Sequence, residues 1–171
     1  MEQEIIHWYA ARVKYRTEKM IKNFLEEKEI KHFIPFQKVF KKQNGKKVQK
    51  EKPVISCLIF VNTNYVTALS IPDDSGFRVS YIYNNETGKL QIIPDKQMQD
   101  FMFLLDFSES VIRISNTNLR RGDRVRVIKG DFVGIEGELI RVKGHKRVVV
   151  RLEGLFSLAT TYIPGEYLEK L

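Results

Sequence analysis

Hydrophobic and polar positions alternate along this chain in a changing rhythm. Residues 5–13 (IIHWYAARV) are rich in β-branched and aromatic side chains and predict a buried strand. Thr17 then stands where a helix cap belongs. Met20, Ile21, Phe24 and Leu25 recur at helical spacing, so a helix is predicted to about Lys28. Residues 30–36 (IKHFIPF) predict a second strand. Asn44-Gly45, inside a lysine-rich stretch, predicts a two-residue hairpin turn. Residues 54–61 (VISCLIFV) are apolar at consecutive positions and predict a third strand, buried on both faces.

The pattern is less regular over 62–93, where FRVSYIY and KLQII predict strands joined by the turn-rich NNETG. A second helix is predicted from Pro94 or Asp95, with Met98, Phe101, Met102 and Leu105 along one stripe. This order predicts an α+β fold, helices over a mostly antiparallel sheet. Polar residues without a period follow, and a linker is placed at 108–118. From there strands are predicted at 124–128, 138–143, 146–152 and about 158–163, with a short helix at most in the terminal GEYLEKL. Short strands in so small a piece must close into a barrel to bury a core and cover their edges. The expected domains are therefore 1–107 and 119–171.

The clearest alternation lies in residues 120–142, RRGDRVRVIKGDFVGIEGELIRV. Val125 and Val127 point inward between Arg124 and Arg126. Gly130, Gly134 and Gly137 then let the chain turn before Glu138, Ile140 and Val142 take one face, with Leu139 and Arg141 on the other. Phe132 is placed to plug the barrel mouth. Beyond it Arg147, Val149 and Arg151 share a face, which suits either a partner surface or a solvated one.

Composition narrows the function. The 171 residues carry a net charge of +8, of which +5 falls on residues 113–171, a balance that favours polyanionic neighbours. Seven lysines and a single acid, Glu51, lie between Lys38 and Lys52. The single cysteine, Cys57, allows no internal disulfide and reads as a small hydrophobe rather than a reactive thiol. No leader and no apolar run long enough to span a bilayer is seen, so a soluble cytoplasmic protein is expected. His7, His32 and His145 have no metal-ligand spacing, GDFVGIEG lacks the lysine and helix of a phosphate-binding loop, and no nucleophile–base set stands out. Neither catalysis, nor a metal, nor a cofactor is expected.

The run Gly122, Asp123, Val125, Val127, Gly130, Phe132, Gly134 and Gly137 resembles the KOW motif of small SH3-like barrels, which occur in ribosomal proteins and in transcription elongation factors. The N-terminal half separates these two. HWYAARV (7–13), FIPFQKV, KPVISCLIFV and IPDKQMQDFMFLL are similar, in order, to the strands and last helix of the N-terminal domain of the NusG family, the NGN domain. The resemblance implies an NGN-type antiparallel sheet with flanking helices, followed by an SH3-like all-β KOW barrel. Where general family members carry aromatic-Pro-Gly-Tyr, this chain has Ile55, Ser56, Cys57 and Leu58. That departure resembles the specialised paralogues, the UpxY-type and RfaH-like antiterminators.

The resemblance implies a factor that binds the clamp helices of the RNA polymerase largest subunit through Ala10, Arg12, Ile55, Leu58, Phe60 and Phe101. It also implies phosphate-directed contacts to nucleic acid from Lys14, Arg16, Lys41, Lys42, Lys46 and Lys47. The barrel's partner would be a small-subunit ribosomal protein or Rho, and the chain would act as a monomer, away from membranes. A ribosome-associated or RNA-binding KOW protein is the alternative. Strand-forming alternation in RVRVI and KRVVVRL opposes a tail that refolds as a helical hairpin.

Overall fold

The computed structural model describes residues 5–106, 112–114, 122–142, 144–152, 155–160 and 162–171. Contacts divide the chain into two compact units, 1–92 and 93–171.

In the first unit, strand β1 (His7–Val13) lies at the centre of the sheet. It pairs antiparallel with β5 (Leu58–Thr63) on one side and with β6 (Val79–Tyr81) on the other, and β2 (Lys31–Phe33) adds to β5. The order is β2-β5-β1-β6, with the two-residue β7 (Ile92–Ile93) also on β1. The register places Tyr9 opposite Val61 and Ala11 opposite Ile59. These side chains form one core with Val13, with Ile21 and Leu25 of α1 (Glu18–Glu27), and with Ala68 and Ile71 of α2 (Tyr65–Ser75). The opposite face is dry too: Trp8, Ala10, Leu58 and Phe60 are buried.

Helix α1 starts at Thr17 as expected, but the threonine hydroxyl donates to the Lys14 carbonyl (2.6 Å) instead of capping the helix. Met20 is exposed. Its expected place on the buried stripe goes to Glu18, whose carboxylate accepts the Cys57 backbone N–H at 2.9 Å. The third strand begins later than the apolar run suggests, at Leu58 rather than Val54, because the backbone turns at Cys57 with φ +63°. Helix α2 was not expected, since Pro72 and the β-branched Val66, Thr67 and Ile71 weaken its helical signature. Its ends are nonetheless well marked. Asn64 accepts the Thr67 N–H at 2.9 Å, and Gly76 closes the helix in the left-handed region. FRVSYIY yields β6, whereas KLQII yields only β7 and a bridge from Leu90 to Tyr83.

The second unit holds α3 (Asp95–Asp106) and a six-stranded antiparallel sheet. The strands are β8 (Ile112–Ile114), β9 (Arg124–Val127), β10 (Glu136–Val142), β11 (His145–Leu152), β12 (Phe156–Ala159) and β13 (Leu168–Lys170), in the order β13-β9-β10-β11-β12-β8. Helix α3 lies against β11. Its stripe is Met98, Phe101 and Leu104, shifted slightly from the expected Met102 and Leu105. Two expectations are corrected. Part of the proposed linker, Ile112–Ile114, is a strand paired with β12, and the rest of 108–118 lies outside the described residues. The terminal LEK is a strand on β9, preceded by a single 3₁₀ turn at Gly165–Tyr167, because Leu168 and Lys170 complete a ladder that β9 would otherwise leave open. Arg124–Val127, Glu136–Val142 and His145–Leu152 are strands, with no helical hairpin among the described residues.

Candidate functional site

The first unit carries a two-stranded ribbon, β3 (Phe36–Gln43) and β4 (Lys46–Pro53), which forms a sheet of its own. Asn44 and Gly45 turn it with φ of +50° and +74°, the paired positive values that a tight hairpin requires. Lys41, Lys42, Lys46 and Lys47 cluster around this turn, all exposed, with Lys42 directly opposite Lys47. Directly opposed like charges destabilise a ribbon. The arrangement suits a hairpin whose lysines are neutralised by a polyanion.

Lys14 and Arg16 are exposed in the turn between β1 and α1. Arg16 adopts φ +69°, unusual for a non-glycine residue, and its guanidinium sits over the exposed Tyr15 ring at 5.2 Å. A cleft of about 210 Å³ opens there, lined by Tyr15, Arg16, Glu18, Lys19, Phe36 and Lys52 among others. This turn and the base of the hairpin thus border one basic cleft. Lys19 and Lys52 line this cleft and lie outside the expected nucleic-acid set.

The six residues expected to meet polymerase divide sharply. Ala10, Ile55, Leu58, Phe60 and Phe101 are buried and serve as core in this structure. Arg12 alone is exposed, on the same face of β1 as Ala10, with Leu58 and Ser80 as its cross-strand neighbours.

The glycine-rich pattern falls where strands meet. Val125 and Val127 are buried on β9, Phe132 is buried in the β9–β10 connection, and Gly130 and Gly134 take φ of +84° and +89° there. The Gly134 N–H donates to the Val127 carbonyl at 2.8 Å, closing the loop. Gly137 is required for close approach, since a Cβ there would run into the Val149 carbonyl of the next strand. Gly122 meets the Leu139 carbonyl in the same way. Asp123 is exposed, accepts the Leu139 N–H through its carbonyl (2.8 Å) and pairs with Lys170 at 3.2 Å.

The outer face of this sheet carries paired charges. Glu136 Oε1 accepts from Arg126 Nη2 at 2.7 Å and from Nε at 2.9 Å. These charge-assisted bonds hold the Glu136 carboxyl below the usual range and push the Arg126 guanidinium up. Arg151 lies 3.0 Å from Glu138, a close charge contact without hydrogen-bond alignment. Arg147 donates to the Thr160 carbonyl at 2.7 Å, and Val149 is fully buried. On the face they share, Arg147 and Arg151 are half-buried and engaged within the unit, while Val149 is buried.

Comparison with known proteins supplies what geometry alone does not. The family described as "Transcription termination factor nusG" matches residues 6–102. The chain belongs to the NusG family. The match takes in the hairpin, the Arg16 turn and most of α3, which contacts in the structure group with the second unit. A large ribosomal subunit protein uL24 from Korarchaeum cryptofilum is 33% identical over 78 residues, 44% of this NusG-family chain, and the chain spans about half (52%) of that relative's length. A chain in a crystal structure of the MjSpt4:Spt5 complex (conformation B) is similar at 16% identity over 96% of each chain, with a TM-score of 0.25. Among the described residues no helix is long and apolar enough to cross a membrane.

Proposed function

We propose that this chain is a transcription elongation factor that binds RNA polymerase through its N-terminal unit and promotes processive transcription of target operons by antitermination. The observation that carries the reading is the family match over residues 6–102, joined to the exposed lysine hairpin and the Arg16 turn. Arg12 would contribute to the polymerase contact, while Lys14, Arg16 and the hairpin lysines would hold nearby nucleic acid by its phosphates.

The second unit would be a KOW-type barrel with its own partner, a small-subunit ribosomal protein or Rho. A specialised role of the UpxY or RfaH kind rests on residue identity, since Ile55, Ser56, Cys57 and Leu58 stand where general members carry aromatic-Pro-Gly-Tyr, while the left-handed backbone at Cys57 keeps the conformation that pattern's glycine would favour. The chain would work in the cytoplasm as a monomer, without catalysis, metal or cofactor.

The test is transcription in vitro by purified RNA polymerase on a long template carrying pause and termination sites. Added chain should raise the full-length fraction, and an unchanged product distribution would contradict the proposal. The uL24 similarity favours a second reading, a ribosome-associated or RNA-binding protein. That reading expects the chain to sediment with ribosomes through a salt wash that strips weak electrostatic contacts.

A further inference from the structure

The hairpin leaves one large apolar side chain in the open. Phe40 is 62% exposed although it lies within β3, four residues from the turn. The register sets Phe40 opposite Gln49, with Lys42 and Lys47 as the adjoining pair on the same face. Lys47 Nζ lies 5.0 Å from the Phe40 ring centroid, within cation–π range. Lys41, Lys46 and Lys50, all exposed, alternate onto the other face.

The free hairpin forgoes the gain of burying Phe40 and bears the repulsion of two directly opposed lysines. One class of ligand offsets both costs, a polyanion that also presents flat aromatic surfaces. We propose that the hairpin takes single-stranded nucleic acid, with an unpaired base stacked on Phe40 and the flanking phosphates neutralised by Lys42 and Lys47. A duplex would satisfy the lysines but keeps its base faces stacked inside, and an acidic protein surface would leave the ring without a partner. The inference rests on the phosphate contact proposed above and adds to it the base-stacking residue and the strand type.

Fluorescence anisotropy of the full chain with labelled oligonucleotides tests this. The probes are oligo(dT) and oligo(rU) of about 15 nucleotides and a duplex of equal length, with polyglutamate as competitor. Phe40→Ala and Phe40→Leu should weaken single-strand binding about tenfold and leave duplex binding within about twofold, while Phe40→Trp retains the single strand. Because Phe40 is exposed, thermal midpoints of all three variants should match the parent. Lys42→Gln with Lys47→Gln should reduce the salt slope on the single strand by about 1.4, at 0.7 per phosphate contact. The DNA and RNA arms tell the two strand types apart, and the loss in Phe40→Ala is expected on whichever binds tighter.

Equal losses on single strand and duplex, or none on either, would overturn the stacking inference and leave the phosphate contact standing. Absence of binding to every oligonucleotide would remove both. Displacement of oligo(dT) by polyglutamate at equal charge would assign the hairpin to an acidic protein surface and overturn the proposal.

Discussion

Cys57 pays a conformational cost that its position makes visible, since a non-glycine residue at φ +63° is strained by about 1 kcal/mol. Cys57→Gly should therefore raise the denaturant midpoint of the chain, and a lower midpoint would show that the half-buried thiol contributes more than the backbone strain costs. Gly137 stands in the opposite situation. Gly137→Ala drives a methyl group toward the Val149 carbonyl, and a loss of about 1–3 kcal/mol is expected in urea unfolding. Gly137 was legible in the sequence because its spacing after Gly134 repeats a known pattern. The strain at Cys57 was not, because an apolar run gives no sign of where its backbone turns. Glu136 supplies a pH dependence. Arg126 depresses its folded pKa, so the stability it contributes is present at neutral pH and lost as pH falls through that depressed value. Between pH 7 and acid pH, Glu136→Gln should lose less of its denaturant midpoint than the parent does, and an equal loss would show that the Arg126 pair adds nothing.

At the scale of elements, the hairpin was the most legible feature. Asn-Gly fixes the turn, the lysines fix the exposure, and the observed ladder runs from Phe36–Pro53 to Gln43–Lys46. Helix α2 was the least legible, because tertiary contacts through Ala68 and Ile71 decide it against weak local preference, and only Asn64 and Gly76 mark its ends. Strand β13 was missed for a related reason: Gly165 to Leu171 has no alternation long enough to read, and its pairing with β9 comes from distant sequence. Replacing Lys41, Lys42, Lys46 and Lys47 together with glutamine should remove up to four phosphate contacts. The salt slope of single-strand binding should then fall by about 3, and an unchanged slope would place the contact elsewhere on the chain.

For the whole molecule, the sequence changes from mixed helix and strand to strand alone near residue 107, whereas contacts divide the chain between residues 92 and 93. They group α3 with the second sheet, to which Ile112–Ile114 also belongs. Five of the six apolar-face residues lie in the core, which no sequence pattern distinguishes from a docking surface, because both demand the same side chains. Arg12 is the exception that can be tested. Arg12→Glu at this exposed position should change stability by less than about 0.5 kcal/mol while weakening the polymerase contact. The most direct test is size-exclusion chromatography of the full chain mixed with RNA polymerase core and, separately, with ribosomes. The expected result is co-elution with polymerase, reduced in Arg12→Glu. Co-elution with ribosomes and not with polymerase would contradict it.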